Sequence, residues 1–136
     1  MLSIDLVTND EKRTIKDMHE RIFPNVYLTS DNLLENDKDK YVYVLHDEEK
    51  PISYGLIKLM KGQAFLEIFA IDEPYRGRGL AKPFITSIIH EAFKHQDIKK
   101  IFLVVDDNNE IAYQLYQKIG FRIQNQNVSY HIHHHV

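Results

Sequence analysis

The sequence predicts one α+β domain, residues 1–136, in which helices flank a mixed β-sheet. The length of 136 residues is enough for one domain and short of two. The middle of the chain alternates apolar runs with polar turns, which is typical of an antiparallel meander. The second half has the order strand, helix, strand, helix, which predicts a parallel strand pair.

The N-terminal section predicts one strand and two helices. Residues 3–7 alternate enough to form a first strand. The side chains of residues 8–10 can cap the helix that follows, and Pro24 ends it. Residues 29–31 offer a second cap, before a short polar helix around residues 32–36.

The meander is predicted from three strands separated by two polar turns. The strands cover residues 41–45, 52–60 and 64–71, and the third is strongly apolar. The turns cover residues 47–50 and 61–62. We therefore expect these three strands to be antiparallel neighbours.

The second half begins with a helix that carries one apolar stripe, and Pro83 lies in its first turn, where a missing N–H costs little. Residues 101–105 form a continuous apolar run, typical of a strand buried on both faces. A last helix, from about residue 110 to residue 119, ends at Gly120, and Phe121 can pack back on its final turn. The stripe of the first helix comprises Leu80, Phe84, Ile85, Ile88, Ile89 and Ala92.

The composition excludes several classes of protein. A hydrophobic content of 43% and a charged content of 27% are those of a globular protein. The absence of cysteine excludes disulfides, thiolate nucleophiles and cysteine-ligated zinc. The net charge of −3 argues against a nucleic-acid partner, which needs a basic surface. Since neither a signal peptide nor a membrane-spanning run is recognisable, we expect a cytoplasmic protein with no membrane partner.

The stretch from residue 72 to residue 83 joins a strand to a helix and favours an anion site. Gly77 and Gly79 let backbone N–H groups approach an anion, and the helix start adds unpaired donors. Arg76, Arg78 and Lys82 add positive charge. From the residues alone, a phosphate site and a glycine turn with solvated arginines both stay open.

Two other phosphate-binding loops fit this stretch less well. A Walker loop needs Ser or Thr after its lysine, whereas Pro83 follows Lys82. A dinucleotide fingerprint needs a third glycine for close helix–strand packing, and Lys82 occupies that position.

Two motifs in register resemble a known family. Arg-Gly-Arg-Gly-Leu-Ala at residues 76–81 resembles the pyrophosphate motif, Gln/Arg-x-x-Gly-x-Gly/Ala, of the GNAT superfamily of acyl-CoA-dependent N-acyltransferases. The specific match covers residues 65–121, and the elements outside it are compatible with the family. The second motif follows in the family's order and at its distance, and comprises Asn109, Ala112, Leu115, Tyr116, Gly120 and Phe121.

The resemblance implies where acetyl-CoA, the expected co-substrate, would bind. It places the molecule in a V-shaped opening between two parallel strands that splay apart, here residues 64–71 and 101–105. The pantetheine arm would pair with the first strand, the pyrophosphate would lie on the backbone of the glycine loop, and the last helix would add one contact. The implied binding residues are Phe69, Ala70, Ile71, Arg76, Gly77, Arg78, Gly79, Leu80, Ala81, Lys82 and Asn109.

The implied reaction is direct attack of an amine on the acetyl thioester. An amine with a pKa near 10.4 is protonated at pH 7, and removing its proton costs about 4–5 kcal/mol. Glu67 is the candidate base, because it lies on the proposed cofactor strand in phase with Phe69 and Ile71. It could instead face solvent and pair with a lysine. The backbone N–H near Ile71 would stabilise the oxyanion, as it does in the family.

Tyr116 is the candidate acid for the leaving thiolate, since it occupies the family's tyrosine position four residues before Gly120. It could instead be a core aromatic, and Tyr113 lies one turn away. Enzymes of the superfamily that acetylate ribosomal-protein N-termini commonly carry a glutamate where this sequence has Val104, so we do not expect that arrangement here.

Two charged or metal-binding patterns favour solvated surfaces. The histidines near the C-terminus suggest metal affinity, but the alternation there favours an edge strand, and we expect no functional metal site. The acidic residues fall where the family builds its acceptor side, but lysines are interspersed among them. The alternation at the C-terminus comprises Val128, Tyr130 and Ile132, with His131, His133 and His135 facing outward. The acidic residues are Asp31, Glu35, Asp37 and Asp39, and the interspersed lysines are Lys38 and Lys40.

The sequence therefore predicts an acetyl-CoA-dependent N-acetyltransferase that acts on a primary amine, with a small-molecule acceptor favoured. Two alternatives stay open, a protein or peptide N-acetyltransferase and an acyl-CoA-binding regulator without turnover. The acceptor, the acyl chain length and the oligomeric state, a homodimer included, are not determined by the sequence.

Overall fold

The part of the chain that this computed structural model describes, residues 1–26, 28–95, 97–105, 109–125 and 129–133, contains seven strands and four α-helices. The strands are β1 (Leu2–Leu6), β2 (Lys40–Asp47), β3 (Lys50–Met60), β4 (Gln63–Ile71), β5 (Lys100–Val104), β6 (Arg122–Asn125) and β7 (Ser129–His133). The helices are α1 (Lys12–Ile22), α2 (Ser30–Leu34), α3 (Ala81–Phe93) and α4 (Glu110–Ile119).

Local side chains cap the helices at the predicted residues, although α2 covers Ser30–Leu34 and not residues 32–36. A short 3₁₀ turn, Asn9–Glu11, leads into α1, which ends at Ile22, two residues before Pro24. The Thr29 hydroxyl accepts a hydrogen bond from the Asn32 N–H at 3.1 Å and caps α2. Gly120 ends α4 with a φ of 122°.

The strands form one mixed sheet in the order β1-β2-β3-β4-β5-β7-β6. The first four strands are antiparallel neighbours, which confirms the predicted meander and adds β1 to its edge. The chain then passes through α3 and returns as β5, parallel to β4. The predicted α+β class with a mixed sheet is confirmed.

Helices cover both faces of the sheet. On one face α3 and α4 pack over a core cluster that includes Phe84, Ile88 and Ile101, and on the other α1 and α2 pack over a cluster that includes Ile15. Gly55 lets α3 approach the sheet, because a Cβ there would lie 2.6 Å from the Ile88 Cδ1 atom. Within the described ranges, no helix is both long and apolar enough to cross a membrane.

A β-bulge interrupts β4 at Glu67. Leu66 pairs with Ile57 and Ile68 pairs with Leu56, which makes Glu67 the extra residue. The bulge reverses the alternation of side chains along the strand. Leu66 belongs to the cluster under α3, whereas Ile68 packs with the cluster under α1.

Two expectations about strands are wrong. The run 101–105 is not buried on both faces, because Val104 is 54% exposed. The last strand, β7, is not an edge strand, because it lies between β5 and β6, and β6 forms the edge of the sheet. Val128, His135 and the outward direction predicted for the histidine side chains lie outside what the structure describes.

Candidate active site

The parallel strands β4 and β5 pair over a short stretch and then part. Residues 63–65 pair with residues 100–102, and the rings of Phe65 and Phe102 stack at 4.8 Å between centroids. Beyond this pair the described register between β4 and β5 ends, two residues before Val104, the last residue of β5. The pairing therefore ends where the resemblance implies that the two strands splay apart, and we call the space along β4 beyond the two rings the opening.

Backbone groups of alternate β4 residues face the opening. The Asp72 N–H donates to the Ile52 carbonyl at 2.9 Å, so residue 72 points toward β3. The Ala70 carbonyl also points toward β3, where it accepts from the Ser53 hydroxyl at 2.5 Å. Because successive residues of a strand point to opposite edges, Phe69 and Ile71 present their N–H and C=O groups to the opening.

The glycine loop, residues 72–80, follows β4 directly and leads into α3. Gly77 and Gly79 have φ values of 75° and 74°, which L side chains rarely adopt. A Cβ at either glycine would meet no atom within 4 Å, so the loop backbone is open to a ligand. Together with the N–H groups at the start of α3, this open loop fits a phosphorylated ligand such as acetyl-CoA.

The predicted cations surround this loop, and all three are exposed. The Arg76 Nε atom donates to the Ile71 carbonyl at 2.9 Å. The Arg78 guanidinium lies 5.0 Å from the centre of the Tyr75 ring. Lys82 lies in the first turn of α3. Positive charge is therefore concentrated at the end of β4, as an anionic ligand requires.

Glu67 lies two residues beyond the last residue of β4 that pairs with β5. Its side chain is half-buried. Because Glu67 is the extra residue of the bulge, its side chain does not follow the regular alternation along the strand. This position at the start of the opening suits a general base, and the role itself stays a prediction.

Two residues of the second motif have well-defined places on α4. Tyr116 is half-buried, packs edge-on against the Phe121 ring at 5.8 Å, and has its pKa raised to about 12 by burial. The hydroxyl is therefore protonated at neutral pH, as a proton donor must be. The Asn109 carboxamide oxygen accepts from the Ala112 N–H at 3.1 Å and caps the helix, a structural use that the motif did not predict.

The two motifs meet at one core cluster. Phe69 of β4, Leu80 of the glycine loop and Tyr116 of α4 all pack against the cluster under α3. The alternative candidate, Tyr113, packs there as well, and its hydroxyl accepts a hydrogen bond from Gln117 at 3.2 Å.

Sequence reasoning missed two contacts made by the last turn of α1. Arg21 donates to the Asp72 carboxylate at 2.5 Å, at the first residue of the glycine loop. Buried His19 contacts the Tyr54 hydroxyl of β3 at 2.5 Å. His19 recurs at helical spacing with Ile15, Met18 and Ile22, which indicates a buried position. Nothing near Arg21 in the sequence indicates a partner 51 residues away.

The acidic residues near α2 are compensated by lysines. Lys16 contacts Asp31 at 3.0 Å, and Lys40 contacts Glu35 at 2.7 Å. These pairs fit the solvated surface that the sequence favours. Among the residues described, there is no cluster of three or more His, Asp or Glu side chains placed to hold a metal ion.

Parted parallel strands that lead into an open glycine loop define the class of protein, an acyltransferase that draws its acyl group from coenzyme A. Residues 10–121 match the family model described as Acetyltransferase (GNAT) family, and the chain belongs to this family. It is thus an N-acetyltransferase with acetyl-CoA as its co-substrate.

Individual proteins are similar to this chain over nearly its whole length. A spermine/spermidine N(1)-acetyltransferase of Bacillus subtilis (strain 168) is 28% identical over 92% of this chain and 90% of its own. The crystal structure of spermidine N-acetyltransferase from Vibrio cholerae, in complex with CoA and spermine, has a TM-score of 0.79 at 19% identity and covers 97% of this chain and 95% of its own. That of PaiA N-acetyltransferase from Thermoplasma acidophilum, in complex with coenzyme A, has a TM-score of 0.78 at 13% identity, with coverage of 98% and 99%.

Proposed function

We propose that this enzyme acetylates a primary amino group of a small linear polyamine, with Glu67 as the base and Tyr116 as the acid. The observation that carries the catalytic part is the parting of β4 from β5 immediately before Glu67. The acceptor is supported by the B. subtilis relative, whose name gives spermine and spermidine as its substrates.

The backbone of β4 and the glycine loop would hold acetyl-CoA. Phe69 presents its N–H and C=O groups along the opening, Ile71 presents its N–H, and Gly77 and Gly79 leave the loop backbone accessible. Acetyl-CoA supplies an activated acyl group as a thioester. The N–H of Ile71 faces the opening, where it can donate to negative charge that develops on the acyl oxygen.

The two side chains have complementary tasks. The acceptor nitrogen must lose a proton before it attacks, and Glu67 lies half-buried at the start of the opening to take it. The sulfur that leaves must gain a proton, and Tyr116 holds one at neutral pH, as any phenol with a pKa of about 10 or higher does. Each general acid or base contributes about 10²–10⁴-fold to a rate in typical enzymes.

The acceptor assignment does not depend on the acidic residues near α2, because Asp31 and Glu35 are already paired with lysines. The resemblance places Val104 where enzymes that acetylate ribosomal-protein N-termini commonly carry a glutamate, so we do not expect that particular arrangement here.

A thiol-release assay with acetyl-CoA tests the proposal. The panel should contain spermidine, spermine, free lysine, a lysine peptide and a peptide with a free N-terminus. We expect release with the two polyamines well above that with the other acceptors. Preferential release with a peptide would overturn the acceptor. Tight coenzyme A binding without release for any amine would support the non-catalytic regulator instead.

A further inference from the structure

The first strand has one backbone edge that no other described strand pairs with. Strand β1 is an outer strand of the sheet, and its antiparallel neighbour is β2. The Val7 N–H donates to the Val42 carbonyl at 2.8 Å. The Met1 carbonyl accepts from the Glu48 N–H at 3.2 Å. The odd-numbered residues of this segment therefore point their backbone groups toward β2, and residues 2, 4 and 6 point theirs away from the sheet.

The same three residues form an apolar row on the α3 face of β1. Ile4 packs against the core cluster under α3, and strand alternation places Leu2 and Leu6 on the same face. Leu2 is 47% exposed and Leu6 is 48% exposed. Two cavities, of about 570 and 270 Å³, lie where α3 faces β1 and β2, and Ile4 lines both of them. An open backbone edge beside a half-covered apolar row is a surface that another β-strand can extend.

The sequence of β1 is complementary to itself in one antiparallel register. A two-fold axis at Ile4 would place this residue opposite Ile4 of a second copy, and Leu2 opposite Leu6 of that copy. Because these residues direct their backbone groups outward, each pair could exchange hydrogen bonds in both directions. On the other face of the strand, the Ser3 hydroxyl could donate to the Asp5 carboxylate of the second copy. Apolar side chains would thus meet each other, and the one charged side chain of β1 would meet a donor.

Other registers fit this strand less well. An axis at Asp5 would set two carboxylates directly opposite each other, which is destabilising. An axis at Ser3 would pair only residues 2–4 and would leave Leu6 outside the paired stretch. A shift of one residue would set outward-facing backbone groups against inward-facing ones, so the ladder of hydrogen bonds could not form. The register centred on Ile4 is therefore favoured by hydrogen bonding, by charge and by apolar contact.

We propose that two copies of this chain pair through β1 in this register, which joins their sheets across a two-fold axis. The strand that extends the edge is therefore β1 of a second copy, and the apolar rows of the two copies lie side by side on the face that α3 covers. The inference is independent of the acceptor and of the catalytic roles of Glu67 and Tyr116, because no residue of β1 belongs to the opening or to the glycine loop.

Cross-linking through introduced cysteines tests the register, because the chain contains no cysteine. The Cα atoms of a hydrogen-bonded antiparallel pair lie about 5.5 Å apart, within the range that a disulfide spans. We expect Ile4→Cys alone to form a covalent dimer on mild oxidation. Leu2→Cys and Leu6→Cys should form one only when the two variants are mixed. Cross-linking of Ser3→Cys alone or of Asp5→Cys alone would indicate a different axis and would overturn the proposal.

Sedimentation velocity measures the association of the unmodified chain, which we expect to be a dimer at micromolar concentration. Leu6→Lys should raise the Kd of the dimer about tenfold or more, because it places a charge opposite Leu2 of the second copy. Met60→Lys adds the same charge at the end of β3, at a residue that is 49% exposed, and should leave this Kd unchanged. The double variant Leu2→Glu/Leu6→Lys places opposite charges across from each other and should recover much of the loss.

Circular dichroism of each variant establishes that it is folded, which we expect because Leu2 and Leu6 are only half-buried. A wild type that stays monomeric, with no covalent dimer of Ile4→Cys, would refute the proposal. A dimer that Leu6→Lys leaves as tight as Met60→Lys does would mean that the copies associate through another surface. If the wild type forms a larger assembly, the covalent dimer of Ile4→Cys decides whether the assembly contains this contact.

Discussion

The Arg76 side chain is bound to the Ile71 carbonyl oxygen, with the Nε atom at 2.9 Å. Ile71 is the last residue of β4, so this bond ties the first cation of the glycine loop to the strand that lines the opening. The bond uses the Nε–H and leaves the terminal nitrogens of the guanidinium to interact with an anion. Arg76 can thus orient the loop and attract phosphate at the same time.

Substitution of Arg76 should weaken cofactor binding more than the loss of one surface charge. We expect Arg76→Gln to raise the Kd for coenzyme A about tenfold, equivalent to ~1.4 kcal/mol, with a small change in kcat. Arg13→Gln removes the same charge from an exposed position on α1 and serves as the control. Calorimetric titration measures both, and equal Kd values for the two variants would rule out a special role for Arg76.

Three glycines should respond differently to the same added methyl group. Gly79→Ala strains a backbone with a φ of 74° by about 1–2 kcal/mol and should raise the Kd for coenzyme A. Gly62→Ala imposes similar strain, at a φ of 73°, in the turn between β3 and β4 and should leave that Kd unchanged. Gly55→Ala should instead lower Tm, because its Cβ would lie 2.6 Å from the Ile88 Cδ1 atom, and overpacking costs about 1–3 kcal/mol.

Titration with coenzyme A and thermal melting distinguish these outcomes. If Gly62→Ala weakened coenzyme A binding as much as Gly79→Ala, general destabilisation would explain both, and the glycine loop would lose its assigned role.

Removal of the hydroxyl group from each tyrosine of α4 distinguishes the roles of Tyr116 and Tyr113. Tyr116→Phe should lower kcat about 10²-fold, within the usual range for a general acid, and leave the Kd for coenzyme A unchanged. Tyr113→Phe removes a hydroxyl that accepts a bond from Gln117 and should leave kcat close to the wild-type value. Thiol release at saturating substrates measures both variants. A large loss in Tyr113→Phe alone would transfer the acid role to that residue.

Local sequence patterns predicted the features that depend on neighbouring residues. The meander, the β4-α3-β5 unit and the glycine-terminated helix α4 all follow from short-range periodicity and capping. The same is true of the open loop at Gly77 and Gly79, since its conformation is set by the two glycines themselves. These features include most of the proposed cofactor site.

Features that depend on distant residues could not be predicted in this way. The bulge at Glu67 arises from the register with β3, and the inward place of β7 arises because β6 takes the edge. The pair of Arg21 and Asp72 depends on how α1 lies across the sheet. None of these features leaves a mark in the local periodicity, so the sequence alone did not predict them.

Stability should fall in alkaline solution as tyrosines ionise. Burial, aided by the nearby carboxylate of Glu91, raises the pKa of Tyr43 to about 12, and burial alone does so for Tyr116. An unfolded tyrosine has a pKa of about 10. The stabilisation is therefore complete below pH ~10 and declines between pH ~10 and pH ~12, because in this range the tyrosine ionises more readily in the unfolded state than in the folded state. Chemical denaturation from pH 9 to 12 should show a shallower decline for Tyr43→Phe, and a curve parallel to the wild type would contradict this origin.

The base role of Glu67 predicts a distinctive pH dependence. An amine with a pKa near 10.4 has only about one molecule in 10³ unprotonated at pH 7, so the enzyme depends most on a base at low pH. We expect Glu67→Gln to lower kcat/KM for spermidine about 10²-fold at pH 7. The deficit should shrink steadily toward pH 10, where the acceptor loses its proton without help. The Kd for coenzyme A should not change, because the proposed role concerns the acceptor proton. Glu49→Gln, in the exposed turn after β2, is the isosteric control. A deficit that is constant from pH 7 to 10 would mean that Glu67 shapes the opening without accepting the proton.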